Sequence, residues 1–172
     1  MVVLPQVYME EDLAARGSAE AQRHIGYRRL LGRGLDQDAE AAFQDFTVAA
    51  AAGDEFAAFN LGYMYLKGLS VEQNLTAARQ YFEAAVEKEL PAAYNGLGVL
   101  HFNGWGPPQN YTTAKMLFEE GAARNDADSH FNLGVIHGSG HGVPKSESMA
   151  LKSFEAASDA GHWRAPFALS TM

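Results

Sequence analysis

The sequence predicts an all-α fold, a right-handed superhelical solenoid of antiparallel helix pairs. Three observations predict it: self-similarity at a fixed step of 36 residues, an amphipathic period near 3.6 in both halves of each copy, and a glycine where the halves meet. The step of 36 links Gly26, Gly62, Gly98 and Gly134, each preceded by Ile25 or a leucine at 61, 97 and 133. It also links Gly32, Gly68, Gly104 and Gly140, then Ala42, Ala78, Ala114 and Ala150, then Phe46, Phe82, Phe118 and Phe154. The register holds through four copies without insertion or deletion.

The elements follow in order. Residues 1–17 read as the end of a preceding repeat, because Gly17 lies 36 before Gly53 and residues 10–16 match the end of a second helix. Full repeats occupy 18–53, 54–89, 90–125 and 126–161, and 162–172 begin another, with Phe167 matching Phe131 and Leu169 matching Leu133. In the second repeat, Ala57, Ala58, Leu61, Met64 and Tyr65 make the apolar stripe of a first helix over 55–67, and Gly68 stops it. A second helix over about 75–88 lines up Ala78, Tyr81, Phe82 and Ala85. Each second helix starts after a good N-cap residue, Asp38, Asn74, Asn110 or Ser146, and new repeats open with Asp54, Pro91 or Asn125-Asp126. Helices of about 13 residues span about 20 Å and are stable only when stacked. The expected result is one solenoid domain with first helices on a concave wall and second helices outside. Neither end reads as a polar capping repeat, so the sequence is expected to be an excised piece of a longer array.

A glycine inside every first helix costs about 1 kcal/mol against alanine, so Gly26, Gly62, Gly98 and Gly134 imply close approach of a neighbouring helix. The Phe46, Phe82, Phe118 and Phe154 column is expected in the core between successive helix pairs.

Composition excludes several functions. The 172 residues carry 13 Lys+Arg against 21 Asp+Glu, a net charge of −8 that repels a phosphate backbone and argues against nucleic-acid binding. A hydrophobic content of 47% supports a packed core, and no apolar run reaches membrane-spanning length. Without cysteine there is no disulfide frame, thiolate zinc site or cysteine nucleophile.

Candidate chemistry is sparse. His137 and His141 stand at a ligand-like interval, but Gly138, Gly140 and Gly142 interrupt any helix joining them and no third ligand flanks them. The glycine-rich stretch 138–142 follows a helix, so it reads as an interhelix turn and not as a phosphate cradle. Carboxylates Glu10, Glu11, Asp12, Asp126 and Asp128 read as solvated surface. No nucleophile motif is present, and the expectation is a non-enzyme that needs no cofactor and no metal. Asn74-Leu75-Thr76 and Asn110-Tyr111-Thr112 are N-glycosylation acceptor triplets one repeat apart, although each Asn is also explained as an N-cap.

The expected binding surface is the concave wall. Its candidates are Phe59, Asn60, Tyr63 and Lys67, with Asn95, Gly96, Val99 and Asn103, then Phe131, Asn132, Val135 and Ser139. Asn offers donor and acceptor to an extended peptide backbone, and Phe or Tyr anchors side chains. The competing reading makes Phe59 and Phe131 core residues.

The stretches 58–68 (AFNLGYMYLKG) and 77–85 (AARQYFEAA) resemble the Sel-1-like repeat, which differs from the tetratricopeptide repeat chiefly in a longer interhelix loop. The period of 36 and the loops Arg33-Gly34-Leu35 and His141-Gly142-Val143 favour that type, and the resemblance covers 18–161. Residues 92–98 (AAYNGLG), 110–115 with Phe118-Glu119, and 130–135 (HFNLGV) resemble most the Sel-1/Hrd-3-type adaptor group, and the Leu4-Pro5 opening does so too. Departures are Pro107-Pro108 in place of a Val-x turn, and Glu89 and Asn125 where a repeat closes with glycine.

The resemblance implies a protein-protein interaction scaffold: the adaptor of a membrane ubiquitin ligase in endoplasmic-reticulum-associated degradation, placed in the lumen. Its implied partners are ligase subunits, substrate-recruiting lectins or misfolded clients. The alternative is a bacterial-type repeat scaffold or signalling regulator, periplasmic or secreted; a hydrolase is improbable. Apolar faces near Leu13, Phe167 and Leu169 add the expectation of a homodimer through the repeat ends.

Overall fold

A computed structural model describes residues 5–171, so the Leu4 part of the opening motif lies outside the described residues. Among the described residues there are ten α-helices and no strand. They fall into two compact units that divide between Lys88 and Glu89.

The first unit contains α1 (Pro5–Ala15), α2 (Ala19–Leu31), α3 (Ala39–Ala51), α4 (Glu55–Lys67) and α5 (Leu75–Val86). Helices α2/α3 and α4/α5 are the antiparallel pairs of two repeats, α3 packs on α4, and α1 packs on α2. The second unit contains α6 (Pro91–Asn103), α7 (Tyr111–Ala123), α8 (Ala127–Ser139), α9 (Glu147–Asp159) and α10 (Ala165–Ser170). Its pairs are α6/α7 and α8/α9, with α7 on α8, α6 beside α8, and α10 against α9. Helix α5 ends at Val86, two residues before the end expected from sequence, in a turn where Lys88 N–H donates to the Ala85 carbonyl.

The same bonds build every interhelix connection. Gly32, Gly68, Gly104 and Gly140 stand at φ of 66°, 67°, 69° and 75°, a left-handed conformation open to glycine. The N-cap amides of Asp38, Asn74, Asn110 and Ser146 then donate back to the carbonyls of Arg29, Tyr65, His101 and His137 at 2.8–3.0 Å. The side chains of these four caps accept from the amide three residues on. Repeats close at Gly17, Gly53 and Gly161 with φ near 90°, and Glu89 and Asn125 take the same role at φ of 58° and 63°. The departure from glycine at these two places therefore leaves the turn intact.

The glycine inside each first helix is explained by its own repeat's phenylalanine. A Cβ on Gly26 would lie 2.8 Å from the Phe46 ring, and one on Gly62 would lie 2.7 Å from Phe82; Gly98 meets Phe118 and Gly134 meets Phe154 in the same way. Each ring thus fills the space between the two helices of a pair. It also reaches the next repeat: Phe46 shares a core with Ala57, Leu61 and Met64.

Candidate interaction surface

The first helices carry the candidate wall, and each unit arranges it differently. In the first unit Asn60 is already engaged. Its Nδ2 donates to the Tyr27 hydroxyl and to the Phe56 carbonyl, both at 2.7 Å, so it ties α4 to α2. Tyr27 meets Phe46 edge-on at 5.3 Å between centroids. Phe59 is half-buried with its ring 5.5 Å from Phe82, which makes it part of the packing between α4 and α5. Tyr63 and Lys67 remain exposed, with the Lys67 ammonium 5.8 Å above the Tyr63 ring.

In the second unit Asn132 Nδ2 donates to Asn95 Oδ1 at 2.7 Å, which joins α8 to α6. Asn103 is exposed and donates to the Val99 carbonyl one turn back. Phe131 is half-buried between Phe154 and a stacked His162, with centroids 5.2 and 4.1 Å away. Both wall phenylalanines therefore serve packing first. Val99 and Val135 are half-buried where the first unit has Tyr27.

Two cavities lie beside these valines. One, of about 220 Å³, is lined by Val99, Phe102, Asn103, Phe118, Asn132 and Val135. The other, of about 430 Å³, is lined by Val135, Gly138, Ser139, Phe154 and Thr171 among others. Adding 36 to Val99, Phe102, Asn103, Phe118 and Val135 gives these five positions of the second cavity. The two are the same site one repeat apart, and Val135 is the partition. The second is the larger, and it has Gly138 where the first has Phe102. The wall is also nearly free of charge. Helices α6 and α10 contain no Asp, Glu, Lys or Arg, and α8 has only Asp128 in its first turn. The unit's other charges sit on its second helices and connections.

Of the carboxylates read as solvated surface, Asp12 and Asp128 are exposed, whereas others are engaged. Glu10 is buried, not solvated, because the Arg28 guanidinium covers it; Nε donates to Oε2, and Nη2 to Oε1 at 3.0 Å. This contact holds the Arg28 pKa above its ordinary value. Asp126 caps α8 through the Ser129 amide, and Asp128 faces His162 Nε2 at 3.3 Å. His137 and His141 do not act together. His137 is buried inside the repeat, whereas His141 hydrogen-bonds Ser139 and packs against Phe102 and Tyr111. Among the described residues no three His, Cys, Asp or Glu side chains form a metal-binding group. No described helix is long and apolar enough to cross a membrane. Asn74 and Asn110 are exposed, and their Oδ1 atoms cap α5 and α7 at 3.0 Å.

One feature escaped sequence reasoning: Asp45 is buried, bound by Arg29 Nη1 at 2.7 and 2.9 Å and by Gln22 Nε2 at 2.7 Å. The i, i+7 placement of Gln22 and Arg29 on one helix face was the available signal.

Stacked helix pairs with repeat-equivalent cavities define a repeat protein of the helical-hairpin class. The chain belongs to the Sel1 repeat family, whose profile matches residues 19–54, 56–89, 91–126 and 127–162. It is similar in structure to a Sel1 repeat protein from Oxalobacter formigenes, with a TM-score of 0.83 and 28% identity over 92% of this chain and 64% of that one. It is also similar to a protective antigen of uropathogenic Escherichia coli that displays an SLR fold (TM-score 0.77, 25% identity, 96% and 35% of the two chains). A third similar structure is Helicobacter pylori cysteine rich protein B (TM-score 0.59, 27% identity, 77% and 96%). The chain therefore spans under two thirds of the first two relatives. No curated protein matches it in sequence.

Proposed function

We propose that the protein is a non-enzymatic scaffold that holds other proteins on its first-helix wall. The observation that carries this reading is the surface each unit leaves open on its first helices: exposed Tyr63 and Lys67 in the first unit, and two repeat-equivalent cavities in the second. Surfaces built this way sum small contacts over a long face.

Two placements follow. The likeness of 92–98, 110–115 and 130–135 to the Sel-1/Hrd-3-type group supports an adaptor in the lumen of the endoplasmic reticulum, bound to subunits of a membrane ubiquitin ligase and to lectins or misfolded clients. The bacterial source of the three structural relatives supports the alternative, a bacterial-type scaffold or regulator, periplasmic or secreted.

Crosslinking and affinity capture from the cells of origin tests the scaffold. Partners recovered with the native chain are expected to be lost with Tyr63→Ala and Lys67→Ala together, and kept with Met116→Ala on an outer helix. Equal recovery with both would remove the wall from the mechanism. Recovery of ligase subunits selects the lumenal adaptor, and their absence beside other specific partners selects the bacterial-type reading.

A further inference from the structure

We propose that the first-helix wall of the second unit receives an uncharged peptide in the polyproline II conformation, with two apolar side chains three residues apart. This rests on the scaffold reading and specifies its ligand. Three observations lead to it.

The two cavities are repeat-equivalent, so a ligand filling both must present similar groups at the repeat spacing. Helices α6 and α8 pack side by side, and packed helices lie about 8–10 Å apart. A polyproline II chain advances about 3.1 Å per residue with three residues per turn, so residues i and i+3 point the same way about 9 Å apart. In a β-strand, same-side residues recur at about 7 Å, short of the second cavity.

The cavities also differ in size. The one of about 220 Å³ over Phe118 suits an aliphatic side chain, and the one of about 430 Å³ over Phe154 suits an aromatic one. Finally, the charge pattern fits an uncharged segment. The wall helices are nearly devoid of charge in a chain of net −8, and the Lys145 and Glu147 groups at the rim of the larger cavity pair with each other at 3.6 Å. The carboxamides of Asn103 and Asn132 each make one bond within the protein, which leaves donor and acceptor capacity for the exposed backbone of a polyproline II chain.

The protein itself supplies the closing variants. Val99→Tyr reproduces at Asn132 the Tyr27–Asn60 arrangement of the first unit and puts a ring where Val99 lines the smaller cavity. Gly138→Phe places in the larger cavity the ring that Phe102 supplies one repeat earlier. A Cβ at 138 meets only the Ala150 methyl, at 3.6 Å.

The probe is a fluorescein-labelled Gly-Pro-Leu-Pro-Pro-Phe-Pro-Gly peptide, titrated with the full chain and read by anisotropy. It is expected to bind at least about tenfold tighter than peptides with Leu and Phe two or four residues apart, and each closing variant is expected to weaken it about tenfold, the effect of losing one buried side chain. Thermal unfolding verifies that both variants fold. Equal binding at all spacings overturns the inference, as does binding unchanged by both closing variants. No binding at millimolar peptide also overturns it. If sedimentation shows Val99→Tyr changing self-association, a second copy is the occupant and the inference falls. In each case the scaffold reading stands if Tyr63→Ala with Lys67→Ala still abolishes partner capture, and it falls separately if capture is unaffected.

Discussion

The hydroxyl of Ser129 fills the space into which a Cβ on Gly121 would project. The equivalent pair in the first unit is Ala49 and Ala57, both fully buried. One methyl has moved across the α7–α8 contact and become a hydroxyl. The Ser129 Oγ is buried without a hydrogen-bond partner among the described residues.

The pair predicts a change of sign. Gly121→Ala alone is expected to destabilise the protein by about 1–2 kcal/mol, since overpacking outweighs the gain in helix propensity. In a Ser129→Ala background the same substitution is expected to stabilise by about 1 kcal/mol, because the space is then free, the alanine pair is restored and alanine outranks glycine inside a helix. A double-mutant cycle by chemical denaturation measures this, and additive effects would refute the compensation.

The phenylalanine column predicts large, local losses. Phe82→Ala and Phe118→Ala are each expected to cost about 3–5 kcal/mol, through lost burial and the cavity left over Gly62 or Gly98. Thermal unfolding with shifts near zero would contradict the packing of these rings.

The fold was legible because each repeat restates it. Four matching glycines and four matching phenylalanines at a spacing of 20 encode a contact, and only the folded chain shows which group meets which. The wall was less legible, because one column changes chemistry from repeat to repeat. Tyr27 and Val99 occupy equivalent positions, yet one bonds Asn60 and the other lines a cavity. Asn60 and Asn132 read as donors and acceptors for a peptide backbone, and that reading held no sign of the bonds each makes to a neighbouring first helix. Glu10 was missed because a single carboxylate gives no sign of burial until Arg28, on another helix, is placed against it.

Asp45 predicts a pH dependence. Burial raises its pKa above the ordinary carboxylate value, against the pull of Arg29 and then of its hydrogen bonds to Arg29 and Gln22. A raised folded-state pKa means that the native chain holds this proton more tightly than the unfolded chain. The contribution is therefore full below the unfolded pKa and is lost as pH rises through the folded one. Relative to Asp45→Asn, the native protein is expected to lose stability as pH rises above the ordinary carboxylate range. Unfolding curves at a series of pH values measure the difference, and a gap that is constant or widens in favour of Asp45 would contradict the direction.

Asn74 and Asn110 carry two roles that substitution separates. Aspartate keeps the N-cap and removes the glycan acceptor, whereas alanine removes both and is expected to cost about 1 kcal/mol. Expressed through a eukaryotic secretory pathway, the chain is expected to shift in gel mobility on glycosidase treatment, and the Asn74→Asp, Asn110→Asp variant is expected not to. Mobility unchanged in the native chain would leave these residues as caps alone, and a lumenal placement would then rest on the resemblance alone.

Self-association makes the final prediction. Trp163 and Phe167 are 83% and 74% exposed in the second unit, and Leu13 is 46% exposed in the first. Apolar side chains this bare favour pairing between copies, and the Trp163–Phe167 patch meeting itself across a two-fold axis is the isologous contact that closes as a dimer. Leu169 is half-buried on α10, which packs against α9, so its replacement would disturb the helix as well as the patch. Phe167→Glu is the cleaner lever: it charges the exposed face and leaves the Ala165 core contact in place. The native chain is expected to sediment as a dimer at tens of micromolar, roughly where weak interfaces assemble, and Phe167→Glu as a monomer with unchanged helicity. Tyr63→Ala, on the wall, is expected to leave the dimer intact. A native monomer at that concentration would refute end pairing, and dispersal by Tyr63→Ala would place the self-contact on the wall.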